Sequence, residues 1–318
     1  MSTKHMVSTP TQYPYSPRAK PRTCGKHVTY YEDTVDEFFN LMTSETYVDL
    51  TQLRRLSRYG IPGEMRSDAW KFLLGAEKAD RTDDMERNQA KESEFLNAIQ
   101  TTFDERSKVR TEINKLQRHY AKPLPMASYE NVIGAYLHNH PEAEFSTNWV
   151  HLATPFLLTM SNRVDVYHCF KNLLEKLDNE MLEVSLNDRV ISFQSLFRRT
   201  MPDLYEYLEE EQVCFYEWVP SWIGFLLSKE LGLDSLLLLW DFYFSDVNFM
   251  ETHRFFCLAI LKQYKEYLED AEHSQIRRFL GRLPPMDIFM IRQLAIDLRY
   301  KDREDHPSEY DADVAPVI

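Results

Sequence analysis

The chain has 318 residues, of which 43% are hydrophobic and 13% aromatic, so it carries enough apolar material to bury a core of domain size. Lysine and arginine number 37 against 50 aspartate and glutamate residues, which gives a formal net charge of −13. An acidic chain lacks the basic footprint that nucleic acids and anionic lipids require, and this speaks against both as the main partner.

The cysteines and glycines narrow the class of protein further. The four cysteines, Cys24, Cys169, Cys214 and Cys257, lie far apart without a C-x-x-C pair, so we expect neither a disulfide framework nor a metal site. The glycines form no phosphate-binding loop, so we expect the chain to bind no cofactor of its own. No stretch approaches about 18 uncharged apolar residues, so we predict a cytoplasmic protein without direct membrane insertion.

Residues 1–28 have the composition of a tail. Prolines punctuate this polar stretch, and no hydrophobic periodicity runs through it. Lysines and arginines occur here without any aspartate or glutamate before residue 32, so the segment is basic while the remainder is acidic. We predict a disordered basic tail whose role stays open.

Residues 29–300 repeat apolar side chains at helical spacing, which predicts an all-α body. Val166, Phe170 and Leu173 begin a clear stripe of this kind, whereas strict alternation typical of strands is hard to find. Further helical stripes occur at residues 132–137, 149–160 and 288–298.

Two charge-rich segments bear fewer apolar residues. Residues 80–118 are long and charged, which is typical of one or two helices that face solvent. Residues 301–318 are charged and aperiodic until the closing Val317 and Ile318, and we predict a second tail there.

The most distinctive local pattern lies at residues 58–75 and reads R-Y-G-I-P-G-E-M-R-S-D-A-W-K-F-L-L-G. The pattern predicts a turn at Gly60, a helix that begins near Pro62 and a helix C-terminus at Gly75. Arg66 and Trp70 are four positions apart, so they share one face of that helix. Taken alone, the pattern predicts a capped amphipathic helix with a buried tryptophan.

Two further blocks follow in order. One is N-V-I-G-A-Y at residues 131–136, followed by His140-Pro141-Glu142; the other runs from W-I-G-F-L-L-S-K-E-L at residues 222–231 to Trp240-Asp241. With the first block, this order and spacing resembles the TBC domain family, the helical activators of Rab-type small GTPases. The resemblance covers about residues 50–300.

The resemblance implies a V-shaped all-α domain of two helical subdomains that docks a GTP-loaded Rab GTPase, in the setting of vesicle trafficking. It also implies an arginine finger and a water-orienting glutamine, both supplied in trans. Magnesium and GTP would belong to the partner. The motif residues that we expect to support the fold, with Asp241 as a capping residue, are Gly60, Ile61, Pro62, Arg66, Trp70, Trp222, Trp240 and Asp241.

The chain departs from the family at these catalytic positions. Counted from Pro141 without a gap, the family motif Y-x-Q-G falls on Phe145, Ser146, Thr147 and Asn148. Thr147 takes the position of the glutamine, and its side chain is shorter by two bonds.

The arginine block is changed as well. Its best register keeps a finger at Arg118 but places Lys115 where the family has an acid, and Ser221 stands where the family has an arginine. Beside these positions, the candidates for the partner groove are Lys115, Phe145 and Asn148.

Three interpretations follow. The first is a pseudo-activator that binds the GTPase or scaffolds a larger regulatory complex. The second is an active GTPase-activating protein that uses Arg118 while the GTPase's own glutamine positions the water. The third is an unrelated helical interaction module. In the first two, any membrane location comes through the partner GTPase.

Overall fold

The computed structural model describes residues 25–99 and 103–307. This part of the chain contains sixteen α-helices and no β-strand, which confirms the all-α prediction. A single antiparallel bridge joins Tyr47 to Asp80 there.

The first eight helices, which we call the first half, are α1 (Gly25–Met42), α2 (Leu50–Ser57), α3 (Gly63–Leu73), α4 (Asp84–Ala98), α5 (Arg106–Gln117), α6 (Met126–Asn139), α7 (Asn148–Thr159) and α8 (Arg163–Glu183). The remaining helices, the second half, are α9 (Leu186–Thr200), α10 (Pro202–Glu210), α11 (Phe215–Gly224), α12 (Leu233–Ser245), α13 (Phe249–Gln263), α14 (Lys265–Glu269), α15 (His273–Gly281) and α16 (Ile288–Asp305).

The helices pack mainly within these two halves. In the first half α6, α7 and α8 pack on one another, and in the second α13 packs along α16 and α11 along α9. Helix α12 belongs to the second half and also packs on α2, α3 and α7. The buried apolar side chains form one continuous cluster through both halves.

The helical stripes of the sequence form the core faces. Val166, Phe170 and Leu173 of α8 are all buried, as their spacing of four and three residues predicts. Helix α7 buries Val150, Ala153 and other members of its stripe in the same way.

Glycines at the two ends of the first block have the left-handed backbone that a turn and a helix end require. Gly60 has φ of +91° and Gly75 has φ of +76°. Helix α3 begins directly after Pro62, and Gly75 follows its last turn. Glycine is favoured in both places because a side chain disfavours positive φ.

Asp241 joins the two halves through a buried set of hydrogen bonds. Arg66 donates to it from Nε and Nη2, at 3.0 Å from the nearer carboxylate oxygen in each case. The Trp70 indole donates to Oδ1 at 2.9 Å, and the backbone N–H of Ile61 donates to Oδ2 at 3.0 Å. Asp241 lies inside α12 and does not cap it, contrary to our expectation, because its side chain points across to α3.

The other motif tryptophans lie in the core. Trp240 is fully buried, 6.1 Å from Trp70 between ring centroids, and its indole donates to the Leu226 carbonyl. Trp222 is likewise buried and donates to the Leu280 carbonyl at 2.9 Å. The indole N–H groups therefore have acceptors despite their burial.

The ends of the helical body differ from the boundaries expected at residues 28 and 300. Helix α1 begins at Gly25, inside the predicted tail, because the first turn of a helix needs no apolar periodicity; the rest of that tail lies outside the described residues. Helix α16 continues to Asp305. Asp302 is buried there and accepts from Arg199 at 2.9 and 2.8 Å, a contact that sequence spacing does not reveal.

Candidate functional site

The end of α5 carries Arg118. Val109, Ile113 and Leu116 bury one face of this helix, and Arg118 follows as the C-cap residue. The guanidinium of Arg118 is exposed and has no hydrogen bond or ion pair within residues 25–99 and 103–307. The loop behind it is fixed by Gln117, whose side chain bonds to the backbone of the loop residues up to 124.

The beginning of α7 carries Thr147 and Asn148. Thr147 is the N-cap residue, but its exposed side chain makes no capping hydrogen bond. Asn148 is half-buried, and its Nδ2 donates to the Gly224 carbonyl at 3.4 Å. Phe145 packs edge-to-face on Trp149 with 5.9 Å between ring centroids, so it supports the core more than it faces a groove.

A polar contact connects α5 to α7. His151 lies one turn after Thr147, and its Nε2 is 3.3 Å from Oε1 of Glu112 on α5. Glu112 also accepts from Nζ of Lys115 at 2.9 Å. The predicted groove residue Lys115 is therefore exposed but already paired with a carboxylate.

The turn after α11, in the second half, lies next to His151. The Phe225 ring lies 5.3 Å from the His151 ring, edge-to-face. Lys229 is exposed and holds its ammonium group 5.3 Å from the Phe225 centroid, a cation–π distance. Leu226 and Leu227 between them have φ of +49° and +60°, which is a strained conformation for residues with a side chain.

Burial, with the neighbouring polar groups, shifts several pKa values. Burial lowers the pKa of His151, an effect that Glu112 opposes. Burial alone would raise the pKa of Glu112, but hydrogen bonds from Lys115 and His151 outweigh it and hold that pKa below its usual value. Partial burial, with Arg282 and Arg118 nearby, lowers the pKa of His119. The exposed side chains of Arg118 and Lys229 give this surface positive charge on an otherwise acidic protein.

We call this region the junction surface. It consists of Arg118, His119, Thr147, Asn148, His151, Phe225 and Lys229.

The sequence predicted some of these positions and missed others. Arg118, Thr147 and Asn148 came from motif alignment. The contacts of His151 with Glu112 and with Phe225 were missed because they join residues 39 and 74 positions apart in the chain. The stack of Lys229 on Phe225 was missed because it follows from a turn whose conformation the spacing of residues does not specify.

The described ranges offer neither a metal centre nor a membrane span. In residues 25–99 and 103–307, no group of three or more His, Cys, Asp or Glu side chains is arranged to hold a metal ion. In the same ranges, no helix is long and apolar enough to cross a bilayer. The three cysteines that they contain, Cys169, Cys214 and Cys257, are free thiols.

Several known proteins resemble this chain in sequence. A sequence profile of the Rab-GTPase-TBC domain matches residues 63–269. The GTPase-activating protein gyp1 of Schizosaccharomyces pombe is 26% identical over 291 residues, covering 78% of this chain and 57% of that protein. TBC1 domain family member 22A of Homo sapiens is 23% identical over 289 residues, covering 79% and 56%. The chain thus spans little more than half the length of these curated relatives.

Solved structures share the fold. The crystal structure of the Ypt/Rab-GAP domain of Gyp1p aligns with a TM-score of 0.73 at 20% identity, covering 86% of this chain and 99% of that one. The crystal structure of the Chlamydomonas flagellar RabGAP TBC domain aligns with a TM-score of 0.63 at 13% identity, covering 87% and 91%. Because the profile matches well over half of the chain and the fold agrees, the chain belongs to the Rab-GTPase-TBC domain family.

Proposed function

We propose that this chain binds a Rab-type small GTPase in its GTP-loaded form through the junction surface. Membership of the family supports this proposal, and the matched residues 63–269 include every element of that surface. The relatives named above are described as a GTPase-activating protein and as a Rab-GAP domain. The local positive charge of Arg118 and Lys229 suits a partner that carries nucleotide phosphates.

We further propose that the chain is a pseudo-activator, and Thr147 is the observation that carries this. A water-orienting side chain must project from the start of α7, where Thr147 is exposed but ends two bonds short of a glutamine. Asn148 next to it is engaged with the Gly224 carbonyl. The chain then acts by holding the GTPase or by scaffolding a larger regulatory complex.

Arg118 favours a second candidate, an activator with one finger. Its guanidinium is exposed and unpaired in the described part of the chain, so it is free to approach a phosphate. In this mechanism Arg118 neutralises charge on the transferring phosphoryl group while the GTPase's glutamine orients water. Magnesium and GTP come with the GTPase in either case.

The proposal also concerns location. The net charge of −13 disfavours nucleic acid, and we propose a cytoplasmic protein that reaches membranes through the lipid anchor of its GTPase.

Binding and single-turnover hydrolysis by a panel of purified Rab GTPases test the proposal. We expect wild type to bind at least one GTP-loaded Rab more tightly than the GDP-loaded form, without raising hydrolysis more than about tenfold. The double variant Thr147→Gln/Asn148→Gly should raise hydrolysis about a hundredfold or more, because the finger arginine is retained. Arg55→Ala, an exposed position on α2, is the matched control for Arg118→Ala.

The outcomes separate the candidates. Stimulation by wild type above about a hundredfold that disappears with Arg118→Ala would overturn the pseudo-activator and establish the one-finger activator. Failure of every GTP-loaded Rab to bind would overturn both and leave the interaction module.

A further inference from the structure

His151 lies in the junction surface, and neither candidate mechanism gives it a role. Its side chain is 6% exposed, and that of its partner Glu112 is 12% exposed. One face of the contact is α5 in the first half, through Glu112. The other is the turn after α11 in the second half, through the ring of Phe225 at an interplanar angle of 74°. The imidazole of His151 therefore contacts both halves. It also joins α7, which begins directly after Thr147, to α5, which ends directly before Arg118.

The two pKa shifts define the protons in this contact. Because the pKa of His151 is lowered and that of Glu112 is also lowered, the imidazole is neutral and the carboxylate ionised near neutral pH. The carboxylate only accepts, so His151 carries its hydrogen on Nε2 and donates to Glu112 Oε1. Its buried Nδ1 has no hydrogen-bond partner within the described ranges. The charged and titratable groups around this pair are Lys115 on α5, His119 after it and Lys229 on the turn.

Glu112 transmits this contact to Arg118. The two residues are six positions apart on α5, which is less than two helical turns or about 9 Å along the axis. The side chain of Arg118 has no bond of its own to fix it in the described structure, so the backbone of the last turn of α5 sets its position. Glu112 lies in the turn before the last one, so a hydrogen bond that holds this turn against α7 constrains where the last turn, and with it the guanidinium, lies.

We propose that His151 is a positioning residue for Arg118, a role that rests on the proposed function. Its N–H to Glu112 holds the end of α5, and its ring on Phe225 ties that end to the second half. The GTP-loaded GTPase must contact Arg118 and the second half at the same time. The His151 contacts then hold these two parts at a fixed spacing.

Two substitutions separate the hydrogen bond from ring packing. His151→Phe keeps an aromatic ring against Phe225 but has no N–H for Glu112. His151→Gln keeps an N–H donor of similar reach. His138→Phe, at an exposed position near the end of α6, is the matched control for adding a phenyl ring.

The experiment has two readouts. The first is the affinity for a GTP-loaded Rab, measured in the wild-type and Arg118→Ala backgrounds. We expect His151→Phe to weaken binding about tenfold in wild type, the worth of one good hydrogen bond, and less than about twofold with Arg118→Ala. His151→Gln should restore most of the loss, and His138→Phe should have no effect.

The second readout needs no partner. Backbone amide hydrogen exchange in the last turn of α5 should become about tenfold faster in His151→Phe and remain unchanged in α16. An equal loss of affinity in both backgrounds, or unchanged exchange in α5, would overturn the positioning role. If no Rab binds wild type, the proposed function fails, and exchange in α5 alone decides whether His151 holds that helix.

Discussion

At the scale of single residues, Asp241 contributes more to the stability of the fold than its local sequence indicates. It is fully buried, and burial raises its pKa to about 6, although Arg66 and the N–H donors of Ile61 and Trp70 oppose that shift. The carboxylate is thus ionised at neutral pH and matched by a guanidinium that is 12% exposed. Removing one partner of such a buried pair leaves an uncompensated charge.

Arg66→Ala should therefore lower the free energy of unfolding by about 3–5 kcal/mol, because Asp241 must then either stay ionised without a countercharge or take up a proton among donors arranged for a carboxylate. Denaturant unfolding measures the change. Arg55→Ala, at an exposed position on α2, is the matched control and should change stability by less than about 0.5 kcal/mol. A loss below about 1 kcal/mol for Arg66→Ala would contradict this account of the pair.

At the scale of elements, the turn between α11 and α12 combines backbone strain with a buried carboxyl group. Leu226 and Leu227 hold positive φ, and Glu230 follows them, almost fully buried. Ser221 donates to Glu230 Oε1 at 2.5 Å, and Oε2 has no hydrogen-bond partner in the described part of the chain. Burial raises the pKa of Glu230 to about 7, against the influence of Ser221 and Lys229.

This raised pKa makes stability depend on pH in a definite direction. Because folded Glu230 holds its proton up to a pKa of about 7 and unfolded glutamate only to 4.5, the free energy of unfolding falls as pH rises through that interval. Glu230→Gln should remove this dependence. Its stability relative to wild type should rise by on the order of 3 kcal/mol between about pH 4.5 and pH 7.

Denaturant unfolding across that pH range measures the difference. Asp241, with its own raised pKa, contributes to both proteins and cancels in the comparison. Glu210→Gln, at an exposed position on α10, should follow the wild-type curve. Parallel curves for Glu230→Gln and wild type would show that Glu230 ionises at its ordinary pKa.

At the scale of the whole molecule, the two halves share one apolar cluster, with α12 packed into both. We expect a single cooperative unfolding transition as a result. Tryptophan fluorescence reports on both halves, through Trp70 and Trp149 in the first and Trp218, Trp222 and Trp240 in the second. Thermal curves from fluorescence and from far-ultraviolet circular dichroism should coincide, and two separated transitions would contradict a shared core.

The sequence allowed the helices to be predicted better than their contacts. Periodicity and the glycines at 60 and 75 depend on neighbours within a few residues, so α3, α7 and α8 were readable. The role of Asp241, the burial of Asp302 and the His151–Glu112 contact depend on residues 39 or more positions away in the chain. Such contacts carry no local signature, which is why the cap expected at Asp241 was wrong and the positioning contact was missed.

The Arg66–Asp241 pair also has a consequence for how the protein is made. The two residues are 175 positions apart in the chain. At ribosomal speeds of about 5–20 residues per second, roughly 10–35 seconds separate the synthesis of α3 from that of its acceptor. During that interval Arg66 and Trp70 lack the Asp241 carboxylate to which they donate in the folded protein. The buried hydrogen bonds of α3 therefore form only late in biogenesis, once α12 has been synthesised.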